Sequence, residues 1–202
     1  MKKVIFLAFI LSGFVFGGCA THTAVKEQIQ RKSIAQGSVF EELRDGQVRA
    51  GYVVLTIRAS MKTPKEGYYL FESKDSLHGK PQYPFIFNIG GQGAVWMANG
   101  KPDLQQKIVD GRKNPEGGEG VKYDLERKIT LEPGSYKIYL GLTGEAFEKE
   151  ITVNLTDQPQ NVLEFLPVYR RDRIRGKSFY KGISNFEVFL NGKRIDRPEN
   201  CN

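Results

Sequence analysis

Histidine and cysteine are scarce in this 202-residue chain, which contains two of each. The histidines are His22 and His78, and the cysteines, Cys19 and Cys201, stand near opposite ends. A histidine–cysteine metal site needs more ligands than these residues supply. A serine or cysteine hydrolase would have to use His78 as its base, and the sequence lacks a Gly-x-Ser-x-Gly nucleophile elbow. We therefore expect no cofactor and interpret His78 as a loop histidine, with an envelope hydrolase that uses carboxylates or His78 as an alternative.

Long apolar runs are also rare, and the single example lies at the N-terminus. Residues Val4–Phe16 are almost wholly apolar, with two lysines before them and two glycines after them. A positive head, an apolar stretch of this length and small residues before the cut are typical of a signal peptide. The run is shorter than the roughly 20 residues that a membrane-spanning helix needs. We therefore predict that residues 1–18 are an export signal.

The end of this leader, Val15-Phe16-Gly17-Gly18-Cys19, resembles the lipobox of bacterial lipoproteins. Phe16 stands where that motif usually has leucine, whereas the small residues before the cysteine fit it. The resemblance implies a diacylglyceryl thioether on Cys19 and a further acyl chain on its amine, and two or three chains anchor a protein durably. Ala20, in place of the aspartate that retains lipoproteins in the inner membrane, implies the outer membrane facing the periplasm in a Gram-negative cell. The alternative is an ordinary leader that contains a cysteine.

Basic residues outnumber acidic ones, 30 to 23, which gives a formal charge of +7. Two of the lysines belong to the leader, so the exported chain keeps a charge of about +5. Such an excess favours contact with anionic surfaces without selecting among them. We expect partners in the cell envelope: the membrane, through acyl chains on Cys19, and an envelope protein or an anionic glycolipid. Nucleic acid is not an expected partner there.

The most basic stretch is Tyr169–Lys181, where six basic residues are interleaved with aromatic residues and a single acid. The basic residues are Arg170, Arg171, Arg173, Arg175, Lys177 and Lys181. Arginine forks suit phosphate and carboxylate groups, and aromatic rings suit a lipid interface. One hypothesis is therefore a site for anions, either a glycolipid or an acidic polymer or protein. The alternative is a solvated basic loop between two strands, which is what charge runs usually are.

The segments that flank the expected domain are polar. Residues 19–46 lack a sustained apolar period, so we predict a tether there, with a short helix near Val39–Leu43. Residues 198–202 are predicted to form a C-terminal tail. Lipidation of Cys19 would leave Cys201 as a free thiol on this tail, with an intermolecular disulfide as the alternative.

Between these segments lie short stretches rich in β-branched and aromatic residues, separated by turn residues. The predicted strands cover residues 48–58, 68–72, 83–89, 94–97, 126–131, 136–142, 147–155, 161–169, 186–190 and 193–195. Residues 101–119 are predicted to be a polar loop, and Asn191-Gly192 is a strong hairpin signal. Because no long amphipathic helix interrupts this pattern, we predict an all-β fold, an antiparallel Ig-like or transthyretin-like β-sandwich over residues 47–197.

One segment supports the sandwich by resemblance. Leu131–Ile138, with its Leu-Glu-Pro-Gly-Ser-Tyr turn, followed by Glu150–Val153, resembles the transthyretin-like and carboxypeptidase-regulatory-like sandwiches of bacterial envelope proteins. The resemblance implies a core strand after the turn and implies no chemistry, since those modules mostly act as adhesive or spacer units. The sequence therefore predicts a lipid-anchored, non-enzymatic binding or scaffolding domain of the envelope.

Overall fold

A computed structural model describes residues 38–43, 48–173 and 176–196. The leader, Cys19, most of the predicted tether, Arg175 and Cys201 lie outside these residues. The strands are β1 Glu41–Glu42, β2 Val53–Thr63, β3 Gln82–Ile89, β4 Gln92–Gln105, β5 Ile108–Val109, β6 Arg112–Lys113, β7 Gly118–Leu131, β8 Gly134–Leu142, β9 Phe147–Leu155, β10 Gln160–Tyr169, β11 Arg171–Asp172, β12 Gly176–Lys177, β13 Ile183–Leu190 and β14 Lys193–Arg194. Two 3₁₀ helices cover Thr143–Glu145 and Phe179–Lys181. In the part of the chain that is described, no helix has the length and apolar character to cross a membrane.

The predicted all-β class is confirmed, and ten of the strands form one curled mixed sheet. Its order is β14-β13-β10-β2-β7-β4-β3-β8-β9, and β1 pairs with β7. All pairs in this sheet are antiparallel except β2 and β10, which run parallel with Gln160 opposite Val54. The β10 strand inserts between β2 and β13 after the chain has crossed the rest of the sheet. Two short ribbons, β5–β6 and β11–β12, stand apart from the sheet.

The sheet curls at β4, which pairs with two different neighbours along its length. Its first part lies beside β3, and its second part, from Gly100 to Gln105, lies beside β7. A side chain at Gly100 would meet the side chains of Val121 at 2.7 Å and Tyr123 at 2.8 Å. Glycine therefore allows the close approach at the point where β4 changes partner, and the two parts of the sheet can turn towards each other.

The core lies between these two parts of the sheet. Inward-facing residues of β2, such as Leu55, Ile57 and Met61, are fully buried, and each contributes about 1.5–3 kcal/mol by leaving water. Aromatic rings join the facing strands. Phe87 of β3 meets Phe165 of β10 at 5.7 Å between centroids. Where the sheet edges approach, rings of β9 and β13 are likewise in contact.

Residues 38–43 lie on the sheet. Phe40 is buried and packs edge-on against Trp96, with 6.1 Å between ring centroids. The side-chain oxygen of Gln92 accepts the backbone N–H groups of Val39 and Phe40 at 2.6 and 3.0 Å. The helix predicted near Val39–Leu43 is wrong, because Glu41–Glu42 is extended and pairs with β7.

The predictions for two further segments, residues 68–72 and residues 101–119, also differ from the structure. Residues 68–72, predicted as a strand, form a turn in which the N–H of Glu72 donates to the carbonyl of Tyr69 at 3.2 Å. Residues 101–119, predicted as a polar loop, contain the end of β4, the β5–β6 ribbon and the start of β7. Backbone pairing continues through the polar residues there, because strand ends on an exposed surface do not need apolar side chains.

The connections gather at two ends of the sheet. Segments 64–81, 106–117, 143–146 and 170–182 lie at one end, called here the loop end, because β2, β4, β8 and β10 finish there. The N-terminal segment enters at the opposite end, where Val39 contacts the β3–β4 turn at Gly90. The hairpin predicted at Asn191-Gly192 is confirmed between β13 and β14, and both residues have the positive φ of a tight turn.

Candidate functional site

The predicted anion-binding segment lies at the loop end, in the connection from β10 to β13. Arg171–Asp172 and Gly176–Lys177 pair as the β11–β12 ribbon, and the 3₁₀ helix Phe179–Lys181 leads on to β13. Phe179 is fully buried, and its N–H donates to the carbonyl of Pro115 at 2.9 Å. The ribbon is therefore attached both to the core and to the segment before β7.

The basic side chains of this segment have two kinds of surroundings. Arg170 is bound to the fold, since its Nε donates to the carbonyl of Ile183 at 3.1 Å. Like Arg170, four others are exposed: Arg171, Arg173, Lys177 and Lys181. Considering the described residues alone, none of these four takes part in an ion pair. The structure thus brings five of the six predicted residues to one end, and Arg175 is outside the described residues.

A second group of cations, which the sequence analysis did not single out, lies beside the first. The β5–β6 ribbon carries exposed Arg112 and Lys113, with Lys107 before it. A Cβ placed on Gly176 of the neighbouring ribbon would be 3.2 Å from the side chain of Lys113. The signal available in the sequence was Asp110-Gly111, a dipeptide typical of a two-residue hairpin, and both residues have positive φ. The two ribbons form one cationic surface.

Several carboxylates near the ribbons are already paired with other cations. Asp103 contacts Lys62 at 2.6 Å, and Glu116 contacts Lys122 at 2.6 Å. Glu119 pairs with Lys65 in the same region. These three acids are therefore paired with bases outside the ribbons, and the acids that lie on the ribbons themselves are Asp110 and Asp172, beside the more numerous cations.

A buried lysine fastens the segments from which the ribbons project. The side chain of Lys62 has no exposed surface, and its Nζ donates to the carbonyls of Glu116 at 2.9 Å and Gly118 at 2.8 Å as well as to Asp103. It also lies 4.8 Å from the centroid of the Phe179 ring. With all three N–H groups satisfied, this ammonium group has a structural role.

The carboxylate that faces Lys62 shows the effect of this contact. Burial, the largest influence, acts to raise the pKa of Asp103. The hydrogen bond and charge of Lys62, with a further bond from Gln105, outweigh burial and lower that pKa overall. The ion pair is therefore retained over a wide pH range.

Tyr169, the last residue of β10, joins the same network. Its hydroxyl donates to Glu116 at 2.7 Å and accepts the backbone N–H of Lys62 at 2.9 Å. Burial, followed by the charge of Glu116, raises the pKa of Tyr169 well above its ordinary value. The phenol therefore stays neutral and connects β10, β2 and the segment before β7.

His78 lies between two carboxylates at the same end. Its Nδ1 is 2.6 Å from Glu72 and its Nε2 is 3.3 Å from Glu145, which also accepts the backbone N–H of Ile183. The hydrogen bond that the imidazole donates to Glu145 is the largest influence on the ring and raises the pKa of His78. The hydroxyl of Ser76 donates to Glu72. Both ring nitrogens therefore face carboxylates, an arrangement suited to a charged clamp between two loops.

Within the described residues, no arrangement of side chains indicates a metal site. Across residues 38–43, 48–173 and 176–196, no group of three or more His, Cys, Asp or Glu side chains is arranged to hold a metal ion.

Comparison of the chain with protein-family models, curated proteins and solved structures found no match. The resemblances to the lipobox and to transthyretin-like sandwiches therefore remain predictions from the sequence.

Proposed function

We propose that this protein is a lipid-anchored component of the bacterial cell envelope whose β domain binds an anionic partner through the two ribbons. The observation that carries the proposal is the cationic surface itself. Arg171, Arg173 and Lys177 are exposed, while the neighbouring acids Asp103, Glu116 and Glu119 are paired with other bases. Arginine and lysine in this state keep their donors available for phosphate, sulfate or carboxylate oxygens.

The proposed anchor is compatible with this use of the ribbons. The chain between Cys19 and Ser38 can span at most about 60 Å at 3.3 Å per residue. It enters the domain at the end opposite to the ribbons, where Phe40 is buried. An anchor on Cys19 would therefore leave the loop end accessible.

A binding role is better supported than the alternative of a hydrolase that uses His78. A general base needs a ring nitrogen within reach of the proton that it takes. Here Glu72 and Glu145 face the two nitrogens of His78. The proposed domain therefore acts by binding, without a catalytic step.

The proposal predicts that the ribbons bind a polyanion. We expect the variant Arg171→Gln/Arg173→Gln/Lys177→Gln to elute from a heparin column at a lower NaCl concentration than the unaltered chain. Each exposed cation contributes about 1 kcal/mol at an anionic surface, so the loss of three weakens binding by up to about 100-fold.

The matched control removes the same charge elsewhere. Lys128, Lys137 and Lys193 are exposed on strands away from the ribbons, and their replacement by glutamine should change elution only slightly. Equal shifts for the two triple variants would mean that net charge alone governs retention, and the proposed site would be wrong.

A further inference from the structure

Two surface elements at the loop end, called here the apolar tips, carry large exposed apolar side chains: the turn Tyr69–Glu72, and strand β5 next to the Asp110-Gly111 turn. Leu70 and Phe71, at the centre of the turn that Glu72 closes, are 89% and 94% exposed. Ile108 and Val109, on the β5–β6 ribbon, are 62% and 47% exposed. Large apolar side chains exposed together at one end of a molecule indicate a surface that is covered in use.

Direct contacts connect the two tips through the cationic segment. Tyr68 stacks on Tyr180 with 4.6 Å between ring centroids, and the hydroxyl of Tyr69 donates to the carbonyl of Tyr180. Tyr180 belongs to the 3₁₀ helix that follows the β11–β12 ribbon, and that ribbon lies against Lys113 of β6. The apolar tips and the cations therefore occupy one continuous end of the molecule.

Polar contacts hold both tips in place. Around Leu70 and Phe71, the N–H of Gly67 donates to Glu72 at 3.0 Å, and Glu72 is held in turn by His78. At the base of the other tip, the N–H of Asn114 donates to the carbonyl of Lys107 at 2.9 Å. The apolar side chains are thus presented outward by an ordered framework.

We propose that the loop end docks on the surface of an anionic lipid bilayer. Leu70, Phe71, Ile108 and Val109 enter the boundary between headgroups and acyl chains, and the ribbon cations contact lipid phosphates. The inference rests on the proposed anion-binding function and names its partner.

Charge and apolarity together favour a bilayer over a soluble polyanion. Binding at a membrane interface is strengthened both by buried apolar area and by attraction to anionic lipids. A soluble acidic polymer would engage Arg171, Arg173 and Lys177 but would leave the four apolar side chains of the two tips in water. A lipid surface accommodates both groups at once.

The proposed anchor does not prevent this docking. The longest strands have 14 residues and span roughly 45 Å at 3.3 Å per residue. The segment between Cys19 and Ser38, with its reach of about 60 Å, is longer. The loop end can therefore reach the anchoring bilayer or a membrane that faces it.

The test is flotation with vesicles, using the chain from residue 19 onward with Cys19→Ser, so that neither leader nor acyl chains contribute. This chain retains every described residue, including the whole core. Vesicles of phosphatidylcholine with phosphatidylglycerol should bind it, and vesicles of phosphatidylcholine alone should bind it at least tenfold more weakly. Equal binding to both kinds of vesicle, or to neither, would overturn the inference.

The tip variant Leu70→Ser/Phe71→Ser/Ile108→Ser/Val109→Ser separates this inference from the function on which it rests. We expect it to lose vesicle binding at least tenfold while keeping its retention on heparin. The control Val95→Ser/Met97→Ser/Leu166→Ser, which changes exposed apolar residues on β4 and β10, should keep both. A tip variant that floats like the unaltered chain overturns the lipid inference. The proposed function is tested separately, by the NaCl concentration at which the ribbon variant elutes from heparin.

A fluorescence measurement checks the same inference without removing the tip. The chain has a single tryptophan, the buried Trp96, so Phe71→Trp adds a second reporter at an exposed position. Its emission should shift to shorter wavelength when phosphatidylglycerol vesicles are added. Unshifted emission from bound protein would place the tip outside the lipid and overturn the proposal.

Discussion

At the scale of single residues, the charge of His78 governs how two loops are joined. The pKa of His78 lies above its ordinary value of 6.5, because the hydrogen bond that its ring donates to Glu145 and the contacts with Glu72 outweigh burial. The stabilisation that this shift provides is fully present below pH 6.5 and is lost as the pH rises through the folded-state pKa. For Glu72, burial raises the pKa, but bonds from Ser76 and His78 bring it below 4.5. The stabilisation that Glu72 provides is present above pH 4.5 and is lost as the pH falls through the pKa of Glu72 in the folded chain.

These opposite pH dependences predict that the cluster of His78, Glu72 and Glu145 stabilises the fold most between about pH 4.5 and 6.5. His78→Gln should lower the free energy of unfolding by about 1–3 kcal/mol at pH 6, because it removes a charged partner from two carboxylates. The difference in the free energy of unfolding between this variant and the unaltered chain should be smaller at pH 9, because the stabilisation from His78 is lost as the pH rises through its folded-state pKa. Urea denaturation at the two pH values measures it, and a difference independent of pH would contradict the charged clamp.

At the scale of elements, the attachment of the ribbons to the sheet depends on Lys62 of β2. Lys62→Met leaves Asp103 and two backbone carbonyls without their donor inside the fold. Removing one partner of a buried ion pair costs about 3–5 kcal/mol, so urea denaturation should show a loss of that size. Arg58→Gln is the comparison, since Arg58 is half exposed beside Glu126 and an exposed pair contributes at most about 1 kcal/mol. Similar losses for both variants would contradict the structural role of Lys62.

The strands were predictable from sequence where one face of the strand is buried. The segments 83–89, 147–155 and 161–169 were placed within a residue of the observed strands because apolar residues mark them. The end of β4 and the start of β7 pair through polar residues, so no apolar pattern revealed them. The apolar residues 68–72 predicted a strand, but Tyr68 and Tyr69 pack against Tyr180 and leave the next two side chains in solvent.

The site was predictable only in part for a related reason. The cations of 170–181 are contiguous in sequence and stand out as a charge run. Lys107, Arg112 and Lys113 are separated from them along the chain, and only the packing of the two ribbons brings them together. The pairing of His78 with Glu145 also joins distant segments, so a lone histidine in the sequence could not indicate it.

At the scale of the whole molecule, the segment 38–43, which the proposed anchor precedes in the sequence, and the ribbons lie at opposite ends of one sheet. Acylation at Cys19 predicts that cells fed a palmitate analogue label the unaltered chain and the variant Cys201→Ser equally. Cys19→Ser should abolish the label, since the thioether and the amine modification both depend on that residue. Gel fluorescence after purification measures incorporation, and label retained on the Cys19→Ser chain would exclude the lipobox interpretation.

The parallel pairing of β2 with β10 also determines when the fold can be completed. Val54 can pair with Gln160 only after every intervening strand has been synthesised and has reached the same compartment. Pairing between such distant residues requires closure of a long loop and is intrinsically slow. During synthesis or export from the N-terminus, β2 would therefore present an open, apolar edge for as long as β10 is missing, a template for aggregation. A chain that stops after β9 would keep that edge permanently, so the segment from β10 onward acts as the cover that the first long strand requires.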